Sequence, residues 1–189
     1  MKNQNLDELI IIGGARGVGK TTLAKEFFKR TQGSYVHPGD QFIKYQYSGE
    51  PRINESKIIE GLALAEILKA PKPIIVDLHY RAYSKFEGWV NGFCMDALKV
   101  LASNYDKVKL YLIDLDENTL YDRRMNDQDR IEKRRKLDKN IIKEELEQNR
   151  AGYEFFIKTI SPITCVEAKI IINKDFNTAL DELIQCAQE

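Results

Sequence analysis

Five short apolar runs punctuate the chain: Leu9 to Ile12, Ser34 to Val36, Pro73 to Val76, Val108 to Ile113 and Lys169 to Ile172. They predict strands. The runs Ile10-Ile11-Ile12 and Ile170-Ile171-Ile172 lack the alternation of a half-exposed strand, which predicts a parallel sheet covered on both faces. Between them, helical spacing predicts helices over Lys20 to Arg30, Ser56 to Lys69, Met95 to Ala102, Glu117 to Met125, Asp138 to Ile160 (as one helix or two) and Asn177 to Ala187. Strand and helix in regular turn imply right-handed crossovers and a three-layer α/β fold with a five-stranded parallel sheet. Two stretches do not fit the alternation. Gly39 to Glu55 is polar, with Gly49 and Pro51, and Asp122 to Lys139 is densely charged; both are expected to be mobile insertions over a site.

Composition narrows the function classes. The 189 residues carry 29 Lys+Arg against 29 Asp+Glu, a formal net charge of zero. The length suits a single domain, residues 1–189. A balanced charge argues against a protein that covers nucleic acid or an anionic membrane by bulk attraction, so no extended nucleic-acid footprint is expected. No apolar run approaches the roughly 20 residues of a membrane span, and the N-terminus lacks a signal-peptide core, so the expectation is a cytoplasmic protein. Cys94, Cys165 and Cys186 are odd in number and widely spaced, which speaks against both a disulfide framework and a structural zinc site.

The strongest chemical signal is Gly14-Ala15-Arg16-Gly17-Val18-Gly19-Lys20-Thr21, followed by Thr22, placed directly after the first strand and directly before the first helix. This is a full G-x-x-x-x-G-K-[ST] in its proper context. The glycines let the backbone curl so that successive N–H groups face a phosphate, and the helix N-terminus adds positive potential. Lys20 supplies a cation for the terminal phosphates of ATP, and Thr21 a hydroxyl for Mg²⁺. Asp77 ends the run Pro73-Ile74-Ile75-Val76. At the carboxyl end of a neighbouring parallel strand it is placed to hold the Mg²⁺ shell, although many strands end in Asp merely as a turn former.

With these residues the chain resembles the nucleoside monophosphate kinases of the adenylate kinase group, and most of all their archaeal-type branch. His37-Pro38-Gly39-Asp40 looks like the opening of that family's monophosphate-binding segment, and Val76-Asp77-Leu78-His79 like its strand-ending Asp-x-His. Tyr121-Asp122-Arg123-Arg124 resembles the start of the lid, Gln148-Asn149-Arg150 the helix after it, and Ile171-Ile172-Asn173-Lys174 the loop that meets the adenine edge. The resemblance implies transfer of the ATP γ-phosphoryl group to a nucleoside monophosphate, AMP above all. It implies that Arg123 packs on adenine, that Asn173 lies at its edge, and that Arg130 and Arg150 neutralise the transferring group. The acceptor would bind along 39–69, with Asp40, Lys44, His79 and Arg81 as contacts, under a lid near 122–139.

Charge patterning supports the lid independently. Of ten arginines, five (Arg123, Arg124, Arg130, Arg134, Arg135) fall between positions 123 and 135. Phosphoryl transfer is dominated by positioning and charge neutralisation, and guanidinium groups do both. The alternative is a solvated helix with Asp127, Asp129 and Glu132 as its i,i+4 partners.

On the acceptor side the pattern departs from the family. Arg81 stands four after Asp77, as the group's acceptor-gripping arginine does, but Leu78-His79-Tyr80 replaces its usual Gly-Phe-Pro, and Ile43, beside Lys44, takes the place of a second arginine. Arg81 to Trp89 replaces a proline- and glycine-rich stretch. His79 either acts on the acceptor or sits satisfied under the sheet edge. Tyr45, Tyr47, Tyr80, Tyr83 and Trp89 either stack on an acceptor base or, as is commoner for scattered aromatics, pack. A GTP-binding switch fails two positional tests, since no glycine stands three after Asp77 and Asn173-Lys174 is followed by Asp175-Phe176. A P-loop ATPase of RNA or ribosome maturation, and a kinase for another small molecule, share every feature except the acceptor contacts.

Overall fold

A computed structural model describes residues 7–31, 33–47, 55–84, 87–128 and 136–188. Among the described residues there are seven strands: β1 (Glu8–Gly13), β2 (Ser34–Val36), β3 (Ile74–Leu78), β4 (Arg81–Ser84), β5 (Gly88–Asn91), β6 (Lys107–Asp114) and β7 (Cys165–Ile172). The helices are α1 (Lys20–Arg30), α2 (Pro38–Phe42), α3 (Ser56–Lys69), α4 (Met95–Ser103), α5 (Glu117–Met125), α6 (Lys139–Ile160) and α7 (Phe176–Gln188). Five strands form one parallel sheet in the order β2-β3-β1-β6-β7, and β4 and β5 form a separate antiparallel hairpin.

The unalternating apolar runs follow from a core on each face. Leu9, Ile11, Ile74, Val76, Leu110 and Leu112 point to one side, where they meet α3, α4 and the second half of α6. Ile10, Ile12, Ile75, Tyr111 and Ile113 point to the other, against α1 and α7. Each such side chain contributes roughly 1.5–3 kcal/mol by leaving water. The second Ile-Ile-Ile run departs from expectation: Ile171 is buried, but Ile170 and Ile172 are 45% and 48% exposed. β7 is the edge strand of the sheet, with a neighbouring strand on one side only.

Three segments add to the sequence reading. Asp138 to Ile160 is one uninterrupted helix with Asp138 as its N-cap, its carboxylate accepting from the Asn140 and Ile141 N–H groups. Of the supposed insertion Gly39 to Glu55, the described part is helical, as α2 followed by a π turn (Ile43–Tyr47); Pro38 at the first helical position starts it. Asp122 to Met125 is the last turn of α5, the helix expected over Glu117 to Met125. Arg130, Arg134, Arg135 and the side chain of Tyr47 lie outside the described residues.

Stability should report this layering. Ile11→Ala is expected to lower the unfolding free energy by about 2–5 kcal/mol in urea denaturation, and Ile170→Ala on the open edge by only about 0.5 kcal/mol.

Candidate functional site

The carboxyl ends of the five parallel strands bring the predicted residues together, as an open α/β sheet requires. β1 runs into the glycine loop, β2 into His37, β3 ends on Asp77 and Leu78, β6 on Asp114, and β7 leads to Asn173. Gly19 has φ +92°, and a Cβ there would lie 2.4 Å from Asn173 Nδ2, so glycine is required at the turn into α1.

Alternate carbonyls of the loop are claimed from outside. His79 Nδ1 lies 2.7 Å from Gly14 O. Arg124 Nη2 donates to Arg16 O at 2.7 Å. Val18 O accepts from Asn173 Nδ2 at 2.7 Å and from Arg123 Nη1 at 3.3 Å. A loop whose carbonyls are held this way is preorganised to offer its N–H groups to an anion.

Lys20 and Asp77 form the polar centre. Lys20 is 7% exposed and Asp77 fully buried, with Nζ 3.7 Å from Oδ1. Thr21 Oγ1 lies 3.4 Å from the same Nζ. The other carboxylate oxygen, Oδ2, accepts from Tyr35 OH at 2.9 Å, and His37 Nδ1 lies 3.3 Å from it and 2.9 Å from the Asp77 carbonyl. Burial pushes the Asp77 carboxyl up, but the Lys20 ammonium and His37 more than reverse this and hold it below the usual carboxylate range. His37 is pulled down by burial and raised further by Asp77, for a net upward shift. Neither Tyr35 nor His37 was assigned a site role from sequence; their contact depends on β2 lying beside β3, which no local pattern states. Oδ1 of Asp77 is buried without a hydrogen-bond partner. An unpartnered carboxylate oxygen beside a threonine hydroxyl and a loop lysine fits the donor set of Mg²⁺ carried by a nucleotide.

Arg123 and Arg124, expected from sequence at the start of a lid, are engaged by backbone carbonyls. Arg123 donates to Val18 O and to the carbonyls of Asn173 and Lys174. Arg124 is fully buried, forms an ion pair with Glu145 of α6, and donates to Lys136 O at 3.0 Å. Asn173 is 2% exposed beneath the loop. Arg150, on α6, donates to Asp114 Oδ2 at 2.7 Å and to Leu115 O at 3.3 Å. Asp40 and Lys44 are exposed on α2 and its π turn, and Thr22 is exposed in the first turn of α1. Tyr80 belongs to the core: it is fully buried, edge-on to Tyr153 and Phe156, and its hydroxyl donates to Tyr111 O.

A shallow, partly open cleft lies beside the loop, lined among others by Arg16, His79, Arg81, Tyr83, Trp89 and Asn149. Gly14 O can only accept, so His79 carries its proton on Nδ1; burial, then Lys20 and Arg16, lower its pKa well below the ordinary value and leave Nε2 an unprotonated acceptor. Among the described residues no cluster of three or more His, Cys, Asp or Glu side chains could hold a metal by itself, and no helix is long and apolar enough to cross a membrane.

No family model matches the chain, and no curated protein does. Solved structures do. A shikimate kinase from Bacteroides thetaiotaomicron superposes with a TM-score of 0.52 at 13% identity, over 97% of this chain and 99% of that one. An uncharacterized protein from Eubacterium ventriosum ATCC 27560 gives 0.54 at 15% identity, over 96% and 98%. The chain shares the three-layer α/β fold of these structures. A chain of the Pnkp1/Rnl/Hen1 RNA repair complex matches at 0.51 and 19% identity, over 82% of this chain and 48% of that one. These likenesses show the fold and do not single out the archaeal-type adenylate kinase branch.

Within that fold the Arg124–Glu145 pair joins the loop to α6. Arg124→Ala leaves Glu145 buried without its partner and is expected to cost about 3–5 kcal/mol in thermal or urea unfolding, with much of the loss recovered in Arg124→Met/Glu145→Met.

Proposed function

We propose that this protein is an ATP-dependent phosphotransferase that moves the γ-phosphoryl group of ATP to a small anionic acceptor, with a nucleoside monophosphate such as AMP as the acceptor class. The observation that carries the reading is the capture of the Gly14, Arg16 and Val18 carbonyls by His79, Arg124, Arg123 and Asn173. Such a loop stands ready for phosphate without further ordering, and preorganisation is where phosphoryl transfer gains most of its rate.

In the proposed mechanism the loop amides and the α1 N-terminus hold the β- and γ-phosphates, flanked by residues Gly14 to Thr22. Lys20 exchanges its 3.7 Å contact with Asp77 for the phosphate oxygens. Thr21 and the bare Oδ1 of Asp77 would hold Mg²⁺, directly or through water. When bound, the ion supplies charge neutralisation across the β- and γ-phosphates. Tyr35 and His37 keep the Asp77 carboxylate ionised and fixed. Arg123, whose guanidinium edge is engaged by carbonyls, keeps a planar face with which to pack on adenine. Arg150, released from Asp114, and Arg130 neutralise the transferring group. His79 and Arg81 face the acceptor; Asp40 and Lys44 stand on the α2 side of the same strand ends.

A second acceptor class, a hydroxylated acid of the kind named in the Bacteroides neighbour, would use the same phosphate loop. ADP release measured over a panel of nucleoside monophosphates and hydroxy acids separates the two, with Lys20→Ala as the blank. AMP is expected to raise turnover well above the water background. If no acceptor does so, the kinase reading loses to a P-loop ATPase. Asp77→Asn is expected to slow turnover by more than about tenfold with ATP affinity little changed, because the carboxylate acts in charge positioning rather than in binding; an unchanged kcat removes Asp77 from the site.

A further inference from the structure

The β4–β5 hairpin has no counterpart in the resemblance that the rest of the chain supports, and it forms one wall of the cleft beside the loop. Its register pairs Arg81 with Asn91 and Tyr83 with Trp89. A strand turns alternate side chains to one face, so all four of these residues share a face. The rings of Tyr83 and Trp89 meet edge to face with centroids 5.5 Å apart.

A two-stranded hairpin is marginal by itself. This one is anchored to α6: Trp89 Nε1 donates to Glu144 Oε1 at 2.7 Å, and Arg81 Nη1 to Gln148 Oε1 at 2.6 Å. At Gly152 of α6 a Cβ would stand 2.8 Å from both Arg81 Cγ and Tyr80 O, so the helix presses directly on the hairpin's root. The aromatic wall is therefore held in place before any ligand arrives.

The charge in the cleft is unbalanced. Arg81 is oriented by two amide oxygens, Asn91 Oδ1 at 2.9 Å and Gln148 Oε1 at 2.6 Å, which fix a guanidinium without neutralising it. Neither Arg81 nor Arg16 has a carboxylate partner among the described residues, while the one acid in the lining, Glu145, is taken by Arg124. Neutral His79 adds an acceptor nitrogen. Two cations, of which Arg81 is preset, a hydrogen-bond acceptor and a fixed pair of rings complement an anion that carries a flat ring and a donor group.

We infer that the phosphoryl acceptor sits in this cleft, and that it is a flat-ringed small anion whose charged group meets Arg81 and Arg16 while its ring lies against Trp89 and Tyr83. The ring wall is then the hairpin, rather than the 39–69 segment. This rests on the phosphotransferase reading for its placement beside the loop, but it can be tested apart from turnover.

Trp89 is the only tryptophan of the chain, so its emission reports on this wall alone. The full-length protein would be titrated with AMP and with 4-hydroxybenzoate, which carry the ring on a phosphate and on a carboxylate, and with ribose 5-phosphate and adenosine, which each lack one half. At least one ringed anion is expected to change Trp89 emission saturably, with an affinity about tenfold or more above both half-ligands, and which of the two does so identifies the anion's source. Arg81→Gln and, separately, Arg16→Gln should weaken that binding about tenfold, the loss of one charged hydrogen bond, with an unchanged thermal unfolding midpoint as evidence of folding. Lys20→Ala should lose ADP release and keep the emission change. A protein that binds the ringed anion but never transfers phosphoryl would refute the kinase reading and leave the cleft assignment intact. The assignment is overturned if neither ringed anion outcompetes the half-ligands, or if both arginine variants bind like the parent.

Discussion

The fully buried carboxylate of Asp77 is the constraint around which the site is arranged. An ionised group removed from water is costly unless charges and donors surround it. Here they come from two other parts of the chain: Lys20 at the end of the glycine loop, and Tyr35 and His37 from β2 and its exit. Meeting that requirement pins β2 against β3 and α1 against both. It also distinguishes the two oxygens, one accepting from Tyr35 and one bare toward Lys20. The loop lysine is thus held in place by the same acid that would serve the metal.

The rest of the loop is held from the opposite side. Arg123, Arg124 and Asn173 approach its carbonyls from α5 and from the loop after β7, and Arg124 continues through Glu145 into α6. Arginines that charge patterning marks out as phosphate ligands therefore have a second task, satisfying backbone oxygens that a tight glycine turn leaves without partners. Clustered positive charge in a sequence does not distinguish an arginine that touches phosphate from one that holds the loop that does. Burial distinguishes them, and Arg124, with no exposed surface, belongs to the second kind.

The cleft beside the loop is assembled by α6, which touches most of what defines it. Glu144 holds Trp89, Gln148 holds Arg81, Asn149 lines the floor, and Gly152 admits the hairpin root. Four positions on one broad face of the helix carry this, so an unbroken α6 matters more than its apolar stripe alone suggests.

Much of the frame was legible in the residues. Lys20–Arg30, Ser56–Lys69 and Glu117–Met125 begin and end where their spacing says, because apolar periodicity and flanking glycine, proline and charge act locally. The glycine loop and Asp77 were legible for the same reason: a strand, a turn and a helix in sequence fix which residues emerge at the strand ends. The exposed face of β7 was not, since an edge differs from a centre only by its neighbours. Nor were the β4–β5 hairpin, whose alternating Arg81, Tyr83, Trp89 and Asn91 is too short to stand out, and the partners of Asp77, which lie about forty residues away in the chain. The sequence alone determined the fold class and the phosphate loop, because these rest on contacts between near neighbours. Only the tertiary structure decided which cations are free to meet a ligand, because that depends on which of them other buried groups already hold.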